Sequence, residues 1–412
     1  MKILLVTQYF WPESFIINDI VRELSKQGHE VVVATGKPNY PEGKVYSGYR
    51  ADGCVEELFD STVPVYRVPL RPRGEGGAKN LILNYFSFVL NGLLFFRKSL
   101  EGRSFDVVFV FAMSPITAAI PAIYLKWRMK SHLAVWIQDL WPESLSATGF
   151  VRNRFLLGVA GWMVRAIYAC SDTLLVQSKA FHAPVARYSR SDKIVYYPNS
   201  YRNELVPETE KTLPAELLSE LERNTCIVFA GNLGTAQSVE TLVHAAEKLR
   251  HKSGLKLVLV GSGSMLSWLE EQKASRGLDN VILAGRYPAS TMPQIFNRAA
   301  GLLVTLKREE IFAYTIPSKV QAYLASGRPI IAALDGEGAR VIQEAGAGFT
   351  CAAEDVDGLV SCIEQLLQLS PDEREALGLS GRQFFEEHFE MGRQCQRLVE
   401  ILENRINVVN GR

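Results

Sequence analysis

Two short apolar runs with a helical segment between them set the strongest limit on how this chain can fold. The runs cover residues 302–306 and 330–334, and each has the length and the flanking residues of a buried strand. Between them, Ser318 is a favourable helix N-cap and Gly327 is a helix stop signal. The stretch therefore predicts a strand, a loop, a short helix and a second strand, which is the repeating unit of a parallel α/β sheet.

Lys319 stands in the first turn of that predicted helix, where the helix dipole already supplies partial positive charge. A lysine at this position is stabilised by a nearby anion, and Lys307 and Arg308 on the preceding loop add further positive charge. Open α/β sheets bind their ligands beyond the carboxyl ends of the strands, where this loop is expected. The pattern favours a phosphate site over a solvated lysine.

The length of 412 residues predicts two domains, and the alternation of strands and helices runs twice along the chain. The pattern predicts a first domain at 1–199, a polar linker at 200–224, a second domain at 225–385 and a C-terminal helix at 386–412 that returns to the first domain. Both domains are expected to be doubly wound, Rossmann-like α/β sheets that face each other across a cleft.

Charge and cysteine usage limit the partners and the compartment. Residues 1–200 carry 23 Lys and Arg against 16 Asp and Glu, whereas residues 201–412 carry 22 against 28. A basic first half suits an anionic surface or substrate, and no motif indicates nucleic-acid binding. The six cysteines are scattered and the N-terminus begins a strand rather than a signal peptide, so we expect buried free thiols and a cytoplasmic protein.

Two segments of the first half are apolar and have basic residues at their ends. Residues 80–96 contain no charge and lie between Lys79 and Arg97, and residues 152–169 combine three arginines with large apolar side chains. The first segment is at the lower length limit for a membrane span and contains several polar residues. A helix buried in the domain, a helix at a membrane surface and a spanning helix remain alternatives.

Six sequence blocks carry a resemblance to a known family. In chain order they are MKILLVTQYFWPE, LSKQGHEVVVAT, PNSYR, FAGNLG, LVLVGSGS and PSKVQAYLASGRPII. They resemble the retaining glycosyltransferases of family 4, which have the two-domain GT-B fold. With QDLWPES at 138–144 and PNYPEGKVYSGYR at 38–50, the chain looks like the bacterial subgroup that builds O-antigen, capsule or colanic acid repeat units, including N-acetyl-L-fucosamine transferases.

The resemblance implies a retaining hexosyltransferase that needs no cofactor. It implies a UDP-sugar donor and a saccharide acceptor linked to polyprenyl diphosphate. The basic first half and its two apolar segments then predict a peripheral location at the anionic inner face of the cytoplasmic membrane. The donor-binding residues expected from the matching motifs are Gly231, Asn232, Leu233, Gln237, Gly261, Arg286, Lys307, Tyr314, Pro317, Ser318, Lys319 and Gln321.

The sequence departs from the family pattern at two places. Many members carry two acidic residues eight apart, and these positions are Tyr314 and Ala322 here, so the ribose contact is expected from Gln321 or Glu310 or is absent. The Arg and Lys that often follow the first strand of the second domain correspond to Asn232 and Gln237. The diphosphate is therefore expected to depend on Arg286, Lys319, the basic loop before the helix and backbone N–H groups.

Acidic residues on first-domain loops are the candidate proton acceptors. Asp139 directly follows an apolar strand, and Glu13 and Glu143 lie on neighbouring loops. We expect Asp139 and Glu13 to be catalytic, with binding of the acceptor as the alternative for Glu13, and the resemblance allows the donor phosphate itself to assist. Asp355 and Asp357 head a predicted helix as acidic caps, and the histidines show no metal-ligand spacing, so no metal is expected.

Two other functions remain open. Sugar-nucleotide 2-epimerases share the fold implied by the resemblance, and they need no acceptor. An inactive subunit that binds a sugar nucleotide would account for the missing acidic pair, and it would bind the donor without turnover.

Overall fold

The computed structural model of the protein describes residues 1–75, 77–147, 153–202 and 213–409. The chain forms two compact units. Unit 1 contains Met1–Asn199 together with the chain from Met391 onward, and unit 2 contains Ser200–Glu390. The last helix of the chain thus belongs to the unit that the N-terminus forms.

Unit 1 contains an eight-stranded sheet. Its strands are β1 (Lys2–Val6), β2 (Glu30–Thr35), β3 (Val55–Phe59), β4 (Val63–Arg67), β5 (Val107–Ala112), β6 (His132–Ile137), β7 (Thr173–Val176) and β8 (Ile194–Tyr196). The strand order is β3-β4-β2-β1-β5-β6-β7-β8, and all neighbours are parallel except β3 and β4. The order reverses between β1 and β5, and ligands bind at such a switch point in open α/β sheets.

The helices of the first 199 residues cover that sheet. They are α1 (Ile16–Lys26), α2 (Ala78–Ser99), α3 (Ala119–Met129), α4 (Glu143–Ala147), α5 (Arg154–Cys170) and α6 (His182–Ala186). α2 packs against α3, and α3 packs against α5, so these three helices lie side by side. The predicted apolar segment 152–169 corresponds to α5, and Arg152 lies outside the described residues.

Unit 2 contains a six-stranded sheet in which all neighbouring strands are parallel. Its strands are β9 (Thr225–Ala230), β10 (Leu255–Val260), β11 (Val281–Gly285), β12 (Gly301–Thr305), β13 (Ile330–Ala333) and β14 (Gly348–Cys351). The order β11-β10-β9-β12-β13-β14 reverses between β9 and β12. The two apolar runs at 302–306 and 330–334 form β12 and β13, which pair in parallel as predicted.

The helices of unit 2 pack on both faces of its sheet. They are α7 (Ala215–Arg223), α8 (Val239–Leu249), α9 (Leu266–Arg276), α10 (Met292–Phe296), α11 (Glu310–Ala313), α12 (Ser318–Ser326), α13 (Glu337–Glu344), α14 (Val356–Gln368) and α15 (Pro371–His388). α12 is the predicted helix between β12 and β13. Its N-cap is Pro317 rather than Ser318, because Pro317 has extended backbone angles and Ser318 is already helical.

The segment that was expected to be a polar linker contributes to the core of unit 2. Leu213, Leu217 and Leu221 are buried and pack in the same cluster as β9 and β12. Leucines spaced four residues apart lie on one side of a helix. The three glutamates of α7 made the segment look like a polar linker in the sequence. Residues 203–212 lie outside the described residues, so the expected linker is described only at its ends.

The final helix α16 (Met391–Val409) packs on α1 in unit 1. Met391, Cys395 and Leu402 are buried in the core cluster that also contains Ile17 and Ile20. The Tyr197 hydroxyl donates a hydrogen bond of 3.1 Å to the Gln394 carbonyl oxygen. These contacts join the C-terminal end of the chain to unit 1, and α16 begins five residues later than the predicted boundary at 386.

The cysteines are all free thiols. Cys226, Cys362 and Cys395 are buried, but Cys54 is exposed, so the expectation of buried thiols is wrong for Cys54. Cys54 precedes β3, which is the edge strand of its sheet and presents several polar residues to solvent.

Candidate active site

Two glycine turns form the base of a cavity in unit 2. β9 runs into Gly231 and β10 runs into Gly261, and their φ angles are 138° and 144°. A Cβ atom at Gly261 would lie 1.8 Å from the Gly231 carbonyl oxygen, so only glycine fits at this contact. The two turns therefore hold the carboxyl ends of β9 and β10 together beside the switch point.

The cavity has a volume of about 640 Å³, which is within the range of small-molecule sites. Its predicted lining residues are Gly231, Asn232, Gly261, Arg286, Ser318 and Lys319. The lining also contains Tyr201, Ala230, Val260, Ser262, Tyr287, Ala289, Met292, Phe296, Ala322 and Tyr323. Half of the predicted donor-binding set thus meets in one place, at the end of the sheet where α/β proteins bind ligands.

Lys319 is the central cation of this cavity. Its Nζ lies 3.7 Å from the centre of the Phe229 ring and donates a hydrogen bond of 2.5 Å to Gln237 Oε1. Burial alone lowers the pKa of Lys319 to about 7, and no carboxylate among the described residues forms an ion pair with it. The cavity therefore contains a cation that is desolvated but not neutralised, and an anionic ligand would stabilise its charged form.

The close approach of Lys319 to the first glycine turn fixes the position of its side chain. A Cβ at Gly231 would lie 2.6 Å from Lys319 Cε, so a larger residue would displace the lysine. Tyr323, one turn further along α12, accepts a hydrogen bond of 2.9 Å from the Ala230 N–H. These contacts attach the first two turns of α12 to the end of β9.

A second basic group and an apolar wall complete the cavity. Arg286 follows β11, is exposed and has no ion-pair partner among the described residues. Met292 and Phe296 project from α10, and the Phe296 ring packs edge to face against Tyr323 at 5.4 Å. The arrangement can bind an elongated molecule with an anionic part near Lys319 and a flat apolar part against α10.

The other predicted donor-binding residues do not line the cavity. Leu233 is a core residue, and Pro317 is the N-cap of α12. Gln237 accepts the hydrogen bond from Lys319 Nζ and so helps to position that side chain. Lys307 lies 3.9 Å from Glu240 Oε1, which offsets its charge.

The positions of the missing acidic pair lie in different surroundings. Ala322 lines the cavity, so the position where many family members carry an acid presents a methyl group here. The Tyr314 hydroxyl donates a hydrogen bond of 2.5 Å to Glu310 Oε1, and Gln321 is buried. Neither proposed substitute, Gln321 nor Glu310, lines the cavity that holds Lys319.

Asp139 lies directly beyond β6 in unit 1. Its Oδ2 accepts a hydrogen bond of 2.9 Å from the Ser114 N–H, which belongs to the loop after β5. Trp141 Nε1 donates a hydrogen bond of 3.0 Å to the Ser114 hydroxyl and links the two loops. The carboxylate is half-buried and its Oδ1 has no hydrogen-bond partner among the described residues, so it keeps an oxygen that can accept a proton.

Glu13 has a different environment from Asp139. It is 1% exposed, and its carboxylate accepts hydrogen bonds from the N–H groups of Phe10, Asn39 and Tyr40 at 3.1, 2.8 and 2.7 Å. Burial raises the pKa of Glu13 to about 7, against the lowering effect of those three N–H donors and Arg67. These hydrogen bonds join the loop of Glu13 to residues 39–40, and the catalytic roles of Glu13 and Asp139 both stay predictions.

Metal ligands were not expected, and the described part of the chain holds no group of three or more His, Cys, Asp or Glu side chains that could bind a metal ion. Asp355 caps α14 by accepting the Gly358 N–H at 2.9 Å, and Asp357 pairs with Lys248. Whether the reaction requires an added metal stays a prediction.

Comparison with known proteins defines the class. A family profile described as "Glycosyl transferase 4-like domain" matches residues 15–200, and one described as "Glycosyl transferases group 1" matches residues 224–369. Together they cover most of the chain, one profile for the first domain and the other for the second. The chain is a glycosyltransferase.

Named relatives agree with this class. A putative colanic acid biosynthesis glycosyl transferase, WcaI of Escherichia coli strain K12, is 23% identical over 93% of this chain and 92% of its own. HepE of Anabaena in complex with UDP matches with a TM-score of 0.68 and 13% identity, over 98% of this chain and 100% of its own. The lipopolysaccharide outer core galactosyltransferase WaaB matches with a TM-score of 0.63 and 14% identity over 100% of both chains. The predicted GT-B fold is thereby confirmed.

Proposed function

We propose that the protein is a retaining hexosyltransferase that transfers a sugar from a UDP-sugar to a saccharide linked to polyprenyl diphosphate, during synthesis of a bacterial surface polysaccharide. The observation that carries this proposal is the desolvated Lys319 at the start of α12, which has no carboxylate partner among the described residues. A diphosphate supplies the missing negative charge and accepts hydrogen bonds from the free N–H groups of the helix end.

The cavity offers separate regions for the parts of a sugar nucleotide. Lys319 and Arg286 suit the diphosphate, and the wall formed by Met292 and Phe296 suits the base. UDP is bound to HepE, which has the same fold, and this supports UDP as the nucleotide. The family resemblance supports an N-acetylated sugar such as N-acetyl-L-fucosamine, and the colanic acid relative supports a surface polysaccharide as the product.

The proposed reaction breaks the bond between the sugar C1 and the diphosphate oxygen. The acceptor hydroxyl oxygen forms its bond to C1 on the same face, which retains the anomeric configuration, and UDP leaves with its charge stabilised by Lys319 and Arg286. The hydroxyl proton passes to Asp139 or to an oxygen of the departing phosphate. No further co-reactant is required.

Incubation of the protein with a panel of UDP- and GDP-sugars and polyprenyl-diphosphate saccharides tests this function. We expect one UDP-sugar to be consumed only when a lipid-linked saccharide is present, and we expect NMR of the product to show the anomeric configuration of the donor. Products with inverted configuration would refute the retaining mechanism, and consumption of GDP-sugars alone would refute the UDP assignment.

The same panel separates the two rival functions. An epimerase would convert a UDP-sugar into its C2 epimer with no acceptor present. An inactive binding subunit would bind UDP-sugars and turn over none of them. Such a result would agree with the presence of Ala322, rather than an acidic residue, in the lining of the cavity. Either result would refute the transfer reaction proposed here for this chain.

A membrane location is supported by an apolar surface on unit 1. Nine of the fifteen exposed large hydrophobic side chains among the described residues lie on α2, α3 and α5, which are neighbours. We call this surface the apolar face, and it consists of Ile82, Phe86, Leu90, Leu94, Trp127, Phe155, Leu156, Val159 and Trp162. Exposed aromatic and aliphatic side chains in such a patch favour the interfacial region of a bilayer.

The charges on the same three helices suit an anionic bilayer. α2, α3 and α5 contain no Asp or Glu, and they carry seven basic residues: Lys79, Arg97, Lys98, Lys126, Arg128, Arg154 and Arg165. Lys126 pairs with Asp172 at 2.7 Å, so the other six supply the charge for a bilayer. Each basic residue near an anionic surface contributes roughly 1 kcal/mol of attraction at short range. The apolar face and its basic residues are therefore complementary to the inner leaflet of a bacterial membrane.

α2 is long and apolar enough to cross a membrane by composition, over Lys79–Ser99, but one of its sides is fixed in unit 1. Phe88 and Phe96 are fully buried, and Asn84 Oδ1 accepts a hydrogen bond of 2.7 Å from Gln8 Nε2. A spanning helix would have to withdraw these side chains from the core. We propose that α2 lies in the plane of the interface, and the protein is then peripheral.

Flotation with liposomes tests the apolar face. We expect the protein to float with anionic vesicles and less with neutral ones, and binding should fall as salt is raised because the attraction is screened. Arg154→Glu/Arg165→Glu should lower vesicle affinity about tenfold or more, since two favourable charges become repulsive. Phe155→Ala/Trp162→Ala should lower it at any salt concentration, because both side chains are more than 70% exposed and available for insertion.

Leu379→Ala is the matched control, since Leu379 is an exposed apolar residue of α15 in unit 2 and should not affect flotation. Equal binding to neutral and anionic vesicles in high salt would show that α2 inserts across the bilayer. Absence of flotation under all conditions would remove the membrane assignment.

A further inference from the structure

Arg73 lies over an aromatic cluster on unit 1, formed by Tyr9 and Tyr40, that the proposed reaction does not yet use. Its guanidinium carbon is 5.1 Å from the centre of the Tyr40 ring and 5.9 Å from that of Tyr9. We propose, on the basis of the proposed function, that Arg73 binds the phosphate groups through which the acceptor saccharide is attached to its lipid. The ligand class is a prenyl diphosphate, and the site is distinct from the donor cavity of unit 2.

The loop that carries Arg73 is held by buried hydrogen bonds. The Arg73 N–H donates to Asn39 Oδ1 at 3.1 Å, and Asn84 Nδ2 donates to the same oxygen at 3.3 Å. The Gly74 N–H donates to the Gly43 carbonyl oxygen at 2.8 Å, and a Cβ on Gly43 would lie 1.8 Å from the Gly74 carbonyl oxygen. Asn39 and Asn84 are both fully buried, so Arg73 extends from a preorganised support.

Arg73 has no carboxylate partner among the described residues, and unlike Arg71, which also lacks one but is exposed, it is half-buried and lies over two tyrosine rings. Arg67 pairs with Glu57, and Arg22 pairs with Asp19 at 2.6 Å, so their charges are matched inside the protein. A guanidinium that lies over aromatic rings keeps the N–H groups at its edge available for a bidentate phosphate contact. The unmatched charge of Arg73 therefore points to an anionic ligand.

The Arg73 loop lies at the same edge of the sheet as the candidate base. Arg73 follows β4 and Asp139 follows β6, and both strands run in the same direction in the sheet of unit 1, so both residues lie beyond its carboxyl edge. The sugar attached to a diphosphate at Arg73 would thus extend toward the carboxyl edge of the sheet, where Asp139 can accept the proton of its hydroxyl. In this proposal Arg73 binds the diphosphate of the acceptor and Asp139 receives the proton of its hydroxyl, and both residues belong to unit 1.

The apolar face offers the path for the lipid chain. Tyr85 is on α2 next to Phe86, and Phe86 with Ile82 begins the row of exposed side chains that ends at Leu94. This row covers twelve helical steps, about 18 Å at 1.5 Å per residue. With α2 in the interface, the prenyl chain of a ligand bound at Arg73 leaves along this row of exposed side chains.

Binding of farnesyl diphosphate with the donor cavity saturated by UDP tests the proposal without requiring turnover. We expect Arg73→Gln to weaken farnesyl diphosphate binding by calorimetry about tenfold, because one charge-assisted contact is lost. Farnesol, which lacks the anion, should bind equally weakly to both proteins. Arg73→Lys should recover part of the affinity, and Arg71→Gln, which changes an exposed arginine of the same loop, should have no effect.

The remaining measurements distinguish a prenyl diphosphate from membrane lipid headgroups as the ligand of Arg73. They also distinguish failure of the Arg73 site from failure of the proposed function. Equal farnesyl diphosphate affinity in Arg73→Gln and wild type would overturn the site, and loss of vesicle flotation in that variant would then assign Arg73 to lipid headgroups. A tenfold loss with flotation unchanged supports the acceptor site. If this loss is observed while the wild-type protein transfers no sugar to any lipid-linked acceptor, the prenyl-diphosphate site stands and the proposed transfer to a lipid-linked saccharide fails.

Discussion

Asp139→Asn is expected to lower the turnover number for transfer by about 100- to 10,000-fold, which is the typical cost of losing a general base. The asparagine amide oxygen can still accept the Ser114 N–H, so the loop geometry is preserved and only the proton acceptor is lost. UDP affinity should be unchanged, because the donor cavity lies in unit 2. Steady-state kinetics with the lipid-linked acceptor and calorimetry with UDP measure the two effects.

Glu101→Gln provides the control for Asp139→Asn. Glu101 is an exposed acidic residue between α2 and β5, before the amino end of a strand rather than beyond a carboxyl end, so its loss should leave turnover largely intact. Glu13→Gln should act on stability instead, because its amide NH₂ would replace an oxygen that accepts a backbone N–H. Full activity of Asp139→Asn would assign the proton to the donor phosphate.

Lys319→Met should weaken UDP binding by about 10- to 150-fold, the effect of removing one charge-assisted contact. Methionine keeps apolar contact with the Phe229 ring and the Gly231 turn, so the variant removes charge with little change in packing. Calorimetry with UDP measures the effect. Lys307→Met should have a smaller effect, because Lys307 lies outside the cavity and near Glu240; unchanged UDP affinity in Lys319→Met would remove the diphosphate from this site.

The pH dependence of UDP binding checks the same assignment. Burial holds the pKa of Lys319 near 7 in the free protein, and a bound diphosphate must raise that pKa because it stabilises the charged form. Binding above pH 7 therefore takes up a proton, and UDP affinity should fall as the pH rises from 7. Calorimetry in buffers of different ionisation enthalpy should detect the proton uptake in wild type but not in Lys319→Met.

The local sequence determined the elements that build the donor cavity. The runs of β12 and β13 and the lysine at the start of α12 follow from the residues themselves, whereas Gly231 and Gly261 were expected only from the family resemblance. The first two depend on local rules: apolar strands of limited length, and the unfavourable position of a cation in the first turn of a helix. The alternation of these elements also predicted two parallel sheets.

Other parts of the site depend on contacts between distant segments. Met292 and Phe296 belong to a short helix with no motif, and they reach the cavity only because β11 and β12 lie on opposite sides of β9. Glu13 looked equivalent to Asp139 in the sequence, but the loop at 39–40 folds over it and occupies its oxygens. The position of α10 beside the cavity and the burial of the Glu13 carboxylate produce no periodic pattern of residues, so a single sequence does not reveal them.

The apolar face shows the same division between local and tertiary information. The sequence showed that residues 80–96 and 152–169 are apolar with basic ends, and it left burial and membrane contact as alternatives. Only the packing of α2 on α3 and of α3 on α5 places their exposed sides on one surface, with Asn84 and Phe88 turned into the core. Helix periodicity decides which residues share a side, whereas the neighbours of each helix decide which side meets solvent or a membrane.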